Sequence, residues 1–383
     1  MVPAMNEDKK DVIVIGGGIA GVTAANALAA QGLEVALVER QANLGGHAAS
    51  WACMATEQCN RCSACLVQER MAGASACPQV EVILGAEVSG CRGEAGDFQL
   101  ELLPREGMAG GGSSGACRLL EAARRLSGRA LVLATGFDPY DPSENPLLGY
   151  GHYAGVLTTR DVDDFLRRDD LPALLPPELA QPRLAFVQCV GSRDRQAGRE
   201  YCSQFCCRTT IRLARRLLYL RPELEITIFY IDLQVMSKEF VAFYEQLRQQ
   251  VSFVQGVPAE VSPGSQEGKL RVYGVRPGQV VTEQFEFDRI VLSIGLAPTE
   301  SHRRLAEMLD LRLDEFGYFP TRSEVLTLET SRPGIYLAGA CTGPADIQGS
   351  CKQALAVAGM VASQLESETS RSGGERPRRR ATA

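Results

Sequence analysis

A run of β-branched residues that breaks off on three consecutive glycines leaves a chain few ways to fold. Asp11-Val-Ile-Val-Ile15 holds no turn former and is expected to form a buried strand. Gly16-Gly-Gly18-Ile-Ala-Gly21 follows at once, then an alanine-rich stretch from Val22 to Gln31 that predicts a helix ending at Gly32. A second strand, Glu34-Val-Ala-Leu-Val38, stops at the acidic Glu39. Strand, glycine turn, helix, strand and acid stand in the order and spacing of a dinucleotide-binding unit. Gly16, Gly18 and Gly21 permit the tight turn and close backbone approach to a pyrophosphate, the following helix presents its positive end, and Glu39 is placed to accept from ribose hydroxyls.

Two later segments decide between FAD and NAD as the first nucleotide. Ala130 to Gly136 predicts a buried strand running into Ala134-Thr135-Gly136, which resembles the turn with which two-domain flavoproteins leave the FAD domain. Gly334-Ile-Tyr-Leu-Ala-Gly339-Ala340-Cys341 resembles the late flavin motif, although Ala340 stands where many relatives carry an aspartate. Asp346 is the candidate to replace it, and the helix beginning near Gly349 should point its N-terminus at the pyrimidine end of the flavin. FAD is therefore expected. The candidate flavin set is Gly16, Gly18, Gly21, Glu39, Gly46, Val88, Thr135, Gly136, Gly339, Asp346 and Ile347. His47 is expected either beside the flavin or packed, and Trp51, the single tryptophan, in the core.

Thirteen cysteines are many for a chain whose polar N-terminus resembles no signal peptide. In a reducing compartment they suit ligands or redox thiols better than structural disulfides. They also cluster. The strand Leu184 to Val190 contains Cys189 and runs into Gly191-Ser-Arg-Asp, and Cys202-Ser-Gln-Phe-Cys206-Cys207 opens a helix expected to reach Tyr219. A second nucleotide fold would carry its glycine fingerprint at that junction; here thiols stand in its place. Cys206 and Cys207 with Cys202 can gather at a helix start, and Cys189 can close the set. An iron–sulfur cluster is the leading expectation, with zinc or metal-free thiols as alternatives. Cys53, Cys59, Cys62 and Cys65 form another group, open between a second metal site, redox thiols and a structural or docking role.

The expected domains are 1–150 (first part of the FAD domain), 151–288 (a second Rossmann-like unit carrying the cysteine quartet), 289–366 (return to the FAD domain) and 367–383 (a disordered Ser/Gly/Arg-rich tail). The strand Arg289 to Ile294 is placed in the returning segment, and 104–115 is read as a surface loop. A net charge of −6 argues against nucleic acid as the main partner. No apolar run approaches the ~20 residues of a membrane span, so a cytoplasmic protein is expected.

Gln188-Cys189-Val-Gly-Ser-Arg-Asp194, Tyr201-Cys202-Ser-Gln-Phe-Cys206-Cys207 and Ala338-Gly-Ala-Cys-Thr-Gly-Pro-Ala-Asp-Ile347 together resemble the A-type flavoprotein component of heterodisulfide reductase. The resemblance implies an α/β, thioredoxin-reductase-like fold of two dinucleotide-binding domains, the FAD domain being discontinuous around the second. It implies a [4Fe-4S] cluster on Cys189, Cys202, Cys206 and Cys207, FAD nearby, B and C type partner subunits and a homodimer. No C-x2-C-x2-C-x3-C-P motif occurs, so the chain resembles the short form found in the sulfur-oxidising heterodisulfide-reductase-like complex or, second, in the quinone-interacting oxidoreductase. The missing motifs leave flavin-based bifurcation without a second electron path. No catalytic acid or base is expected, as the three histidines form no pair. A rival reading, an NAD(P)H-dependent flavin disulfide reductase, needs a second glycine fingerprint, and none is visible between Val156 and Asp288. A non-catalytic assembly component is a further rival.

Overall fold

The computed structural model describes residues 8–107, 117–234, 238–275, 282–323, 325 and 328–372. The chain starts as anticipated: β1 (Asp8–Ile15), α1 (Ile19–Ala29) and β2 (Val35–Val38), then α2 (Ala64–Ala76) and β3 (Val80–Leu84). A long hairpin, β4 (Ala86–Glu94) and β5 (Asp97–Pro104), is followed by β6 (Cys117–Leu119) and β7 (Arg124–Leu133). Strands β1, β2, β3 and β6 run parallel, and β7 joins β1 on the other side and carries the hairpin. The alternation of β1 separates two cores. Val12 and Val14 face α1, whereas Ile13 and Ile15 face Phe98, Leu100 and Leu102 of β5.

A short strand, β8 (Asp138–Pro139), leads out to the second unit. There β9 (Val156–Thr158), α3 (Thr159–Arg167), α4 (Leu171–Leu174), β10 (Arg183–Val190), α5 (Cys206–Leu220), β11 (Glu225–Tyr230), α6 (Lys238–Leu247) and β12 (Ser252–Gln255) follow in turn. Three antiparallel strands, β13 (Ser262–Pro263), β14 (Leu270–Gly274) and β15 (Glu283–Phe287), cover one side, and β16 (Arg289–Ile294) completes the parallel sheet. Its order is β12-β11-β10-β16-β9. The chain returns beside β8 as β17 (Leu296–Ala297), then α7 (Ser301–Leu309), β18 (Ile335–Leu337) on β7, and α8 (Ile347–Ser372) packed on α1.

Two expectations change, and one strand has no sequence signal. Arg289–Ile294 does not rejoin the first sheet; it is hydrogen-bonded between β10 and β9, so the crossing back falls after Ile294, at β17. Helix α8 runs to Ser372, beyond the expected end at residue 366, while 373–383 lie outside the described residues, as does most of the expected loop at 104–115. The β4 arm of the hairpin carries no strand pattern in its sequence, because Ala-Glu-Val-Ser-Gly-Cys-Arg-Gly-Glu is polar and mostly solvent-facing.

Phe186, fully buried at the centre of β10, is surrounded by Ile211, Ala214 and Val291. Phe186→Ala should cost ~3–5 kcal/mol through lost burial and the cavity left behind. Chemical denaturation measures it; a shift in midpoint equivalent to under ~1 kcal/mol would contradict this packing.

Candidate cofactor sites at the flavin cleft and the thiol-bearing helix

The glycine turn performs three separate jobs. A Cβ on Gly16 (φ +107°) would lie 2.4 Å from the Ala134 carbonyl oxygen, and one on Gly21 1.8 Å from that of Gly16, so both positions exclude a side chain. A Cβ on Gly18 would meet nothing within 4 Å. That open side faces a cleft of about 510 Å³. Gly18 is also the N-cap of α1 and offers no capping side chain, leaving amides at the helix start free to receive an anion.

Glu39 is buried, and its carboxylate accepts from the Gly17 amide at 2.6 Å and the Gln41 amide at 2.7 Å. Burial raises its pKa, partly offset by those amide hydrogen bonds. Gly16, Glu39 and Thr135 line both the main cleft and an adjoining cavity, whose wall includes Val88. The Thr135 hydroxyl is buried without a partner, as expected of a group left for a ligand. Gly18, Gly46, Thr135, Gly136, Asp346 and Ile347 all line the cleft. Gly339 does not: its amide donates to Gln353 Oε1 at 2.9 Å, and a Cβ there would strike Ala20, so it is a close-packing residue while Ala340 lines the cleft. Gly21 likewise serves packing rather than the wall. The space, the open glycine and the orphan hydroxyl fit FAD.

In the cleft wall His47 bonds through Nε2 to the Phe137 carbonyl at 3.0 Å and lies 3.9 Å from Asp138. Asp138 is held below the usual carboxylate range, chiefly by that histidine. Trp51 is not a core residue. It is half-buried in the cleft wall and stacks on Phe205, with centroids 6.4 Å apart and planes 5° from parallel. Phe205 is the N-cap of α5, the residue just before Cys206.

The thiol quartet is built by two backbone devices. Cys189 takes a left-handed conformation (φ +62°) where the register of β10 on β16 slips. Gln204, also left-handed (φ +61°), turns its amide onto Cys202 Sγ at 3.3 Å. Cys206 and Cys207 open α5. The Cys206 thiol hydrogen-bonds to both Cys189 and Cys207, so three sulfurs converge. These bonds raise Cys206 well above the ordinary thiol range and lower Cys189, and Cys207 to about 7. Burial raises Cys202. Arg193, paired with Asp232 at 2.6 Å, supplies positive charge beside them. Among the described residues no group of three or more His, Cys, Asp or Glu is arranged to hold a single metal ion. A four-iron cluster takes each thiolate on a separate iron, and the convergent all-sulfur donor set fits that chemistry.

Cys53, Cys59 and Cys65 are exposed, Cys62 is half-buried, and all thirteen cysteines are free. Their loop is fixed to α5: Arg212 donates to the carbonyls of Asn60 (3.0 Å) and Arg61 (2.9 Å), and Arg216 to that of Ala55 (2.6 Å). Asp163 of α3 holds the Ala52 amide at 3.0 Å. Sequence reasoning missed Asp163, Phe205 and these arginines because each acts on a partner remote in the chain.

Gly18→Ala should fold with unchanged stability yet bind FAD roughly tenfold or more weakly, because the added methyl occupies the cleft rather than the core. Flavin titration of the apoprotein reads this out; wild-type affinity would show that the open side is not the seat of the pyrophosphate. Burial raises the Asp163 pKa from 3.8 to about 7. Its favourable contribution is complete below pH ~4 and is lost as pH rises through about 7. Asp163→Asn should therefore match the wild type near pH 4 and exceed it at pH 8 by roughly 2–4 kcal/mol, seen as a widening gap in unfolding midpoint. A gap that does not vary with pH would refute this.

Comparison with known proteins agrees with the geometry. The family model described as pyridine nucleotide-disulphide oxidoreductase matches residues 10–191. An A-type iron-sulfur subunit of CoB–CoM heterodisulfide reductase from Methanopyrus kandleri is 29% identical, covering 92% of this chain and 64% of its own length. The A-type subunit of the H(2):CoB-CoM heterodisulfide,ferredoxin reductase of Methanothermobacter marburgensis is 27% identical, covering 91% and 63%. The chain thus spans less than two thirds of these relatives. Among solved structures, thioredoxin reductase from T. acidophilum superposes with a TM-score of 0.57 at 18% identity, covering 94% of this chain and all of that one. The flavoprotein disulfide reductase RclA of Escherichia coli gives a TM-score of 0.57 at 17% identity, covering 94% and 71%. The chain is therefore similar, over most of its length, to the A-type subunits of heterodisulfide reductases, and it has a thioredoxin-reductase-like fold.

Proposed function

We propose that this chain is the FAD- and [4Fe-4S]-carrying electron-transfer subunit of a heterodisulfide-reductase-like complex, working in sulfur metabolism. One observation carries the reading. Phe205, the N-cap of the helix that begins with Cys206 and Cys207, stacks on Trp51 in the wall of the flavin cleft. A single residue therefore separates the sulfur ligands from the aromatic lining of the flavin site. A second tie, Arg208 of α5 to Asp346 at 2.8 Å, reaches the residue that precedes α8 in the cleft wall.

In this reading Gly16, Gly18, Glu39, Gly46, Val88, Thr135, Gly136, Asp346 and Ile347 hold FAD, with Gly21 and Gly339 shaping the fold behind it. Cys189, Cys202, Cys206 and Cys207 hold the cluster. When bound, the two groups supply interconversion of two-electron and one-electron transfer. The chain fixes their separation, excludes water from the thiols by burying Cys189, Cys206 and Cys207, and donates the Gln204 amide to sulfur. B and C type subunits would be the one-electron partners, and a homodimer the assembly. Among the described residues no helix is long and apolar enough to cross a membrane.

An NAD(P)H-dependent disulfide reductase is the competing reading, and the second unit argues against it. The segment between β10 and α5 gives the helix start two cysteines where a nucleotide fold offers glycine amides. The quinone-interacting oxidoreductase remains the alternative complex.

Cys206→Ser, purified anaerobically, should lose iron and sulfide while keeping FAD near one per chain. Full iron content in that variant would overturn the cluster assignment, and rapid bleaching of the wild-type flavin by NADH would favour the reductase.

A further inference from the structure

The residues on either side of Cys189 bury polar groups that the protein itself leaves unpaired. Gln188 is fully buried, and neither its carboxamide oxygen nor its nitrogen has a hydrogen-bond partner among the described residues. Ser192 is 2% exposed, and its hydroxyl is unpaired as well. A buried donor or acceptor without a partner carries its whole desolvation penalty, so native interiors keep few of them. Here they gather around one cysteine.

The fold aims Gln188 at the start of α5. Phe186, two residues earlier on β10, packs on Ile211 and Ala214 of that helix, and strand alternation puts Gln188 on the same face. Strands β10 and β11 are parallel, so α5 between them runs back against β10. The residues one turn before Ile211 and Ala214 are Cys207 and Thr210, and they therefore face the end of the strand that carries Gln188. The Thr210 and Ser293 hydroxyls meet at 2.7 Å, and Ser293 stands two residues beyond Val291, the β16 partner of Phe186. Ser192 closes the turn after Cys189, its amide donating to the Cys189 carbonyl at 3.1 Å. A Cβ on Gly295 would lie 3.2 Å from the Ser192 hydroxyl oxygen and 2.5 Å from that of Ser203. Glycine at 295 thus lets the turn after Cys189 meet the residue after Cys202. Ser203 accepts from the Leu296 amide at 2.9 Å, whereas Ser192 has no such partner.

We propose that the Gln188 carboxamide N–H and the Ser192 hydroxyl donate to sulfur at the cysteine quartet and set the reduction potential of the cluster held there. The inference rests on the proposed assignment of Cys189, Cys202, Cys206 and Cys207 as cluster ligands. A donor to sulfur stabilises the reduced, more negative state more than the oxidised one, and so raises the potential. Two residues with no ligand role would then decide which one-electron partners the protein can reduce.

Redox titration of the anaerobically purified holoprotein, followed by electron paramagnetic resonance for the cluster and by absorbance for the flavin, tests this. Gln188→Met keeps the volume and removes the donor. It should lower the one-electron reduction equilibrium constant of the cluster about tenfold, a shift of ~59 mV to more negative potential. Ser192→Ala should shift it in the same direction, and it carries the test alone should Gln188→Met fail to fold. The flavin midpoint in the same titration is the control and should stay at the wild-type value. A cluster midpoint unchanged at full iron and sulfide content overturns the proposal. Equal displacement of both midpoints overturns it too, since that marks a general distortion of the site. Wild-type protein without iron sinks the cluster assignment beneath it instead.

Discussion

The first two turns of α5 must satisfy two neighbours at once, and the rest of the site follows from how they do it. Its opening residues are two of the four clustered cysteines, and the helix start stands at the end of β10, near Cys189. Its next turns must also dock on the first unit, because the cleft wall and the cysteine loop belong there. Arg208, Arg212 and Arg216 stand four residues apart and so share one face of the helix. They reach Asp346, the carbonyls of Asn60 and Arg61, and the carbonyl of Ala55 in succession. Carbonyls of an irregular loop gain donors, and the loop gains a fixed shape.

This docking makes the contact between the two units polar as well as apolar. Trp51 on Phe205 is the apolar part, and the arginine face and Asp163 are the polar part. Asp163 is costly as an anion, since burial raises its pKa and the Ala52 amide is the donor that opposes this. It holds that amide at the start of the cysteine loop, while the arginines hold the loop's later carbonyls. The loop is thus held at its start and along its length by the second unit, although it is covalently part of the first.

Several elements show where sequence patterns stop short. Ile-Val-Leu-Ser-Ile in β16 is an apolar run that suits the middle of either parallel sheet. Only hydrogen bonding to β10 and β9 assigns it, and linear order points to the wrong sheet. The β4 arm lacks an apolar period because it is an edge strand with one partner, β5. Size and apolarity favour the core for Trp51, yet it lines a cleft that only the pairing of two distant segments creates. Gly339 shows the converse: a glycine in a flavin-like motif that is needed for approach to Ala20.

What the sequence by itself determined is local. The glycine turn, the acid at the end of β2 and the adjacent cysteines at a helix start are set by residues within a few positions of one another, whose φ preferences and side-chain chemistry act without reference to the remainder of the chain. What only the tertiary structure decided is relational: which sheet takes β16, which carbonyls the α5 arginines reach, and that Phe205 meets Trp51. Those contacts join residues that lie far apart along the chain, and no local preference encodes a partner that folding alone brings near.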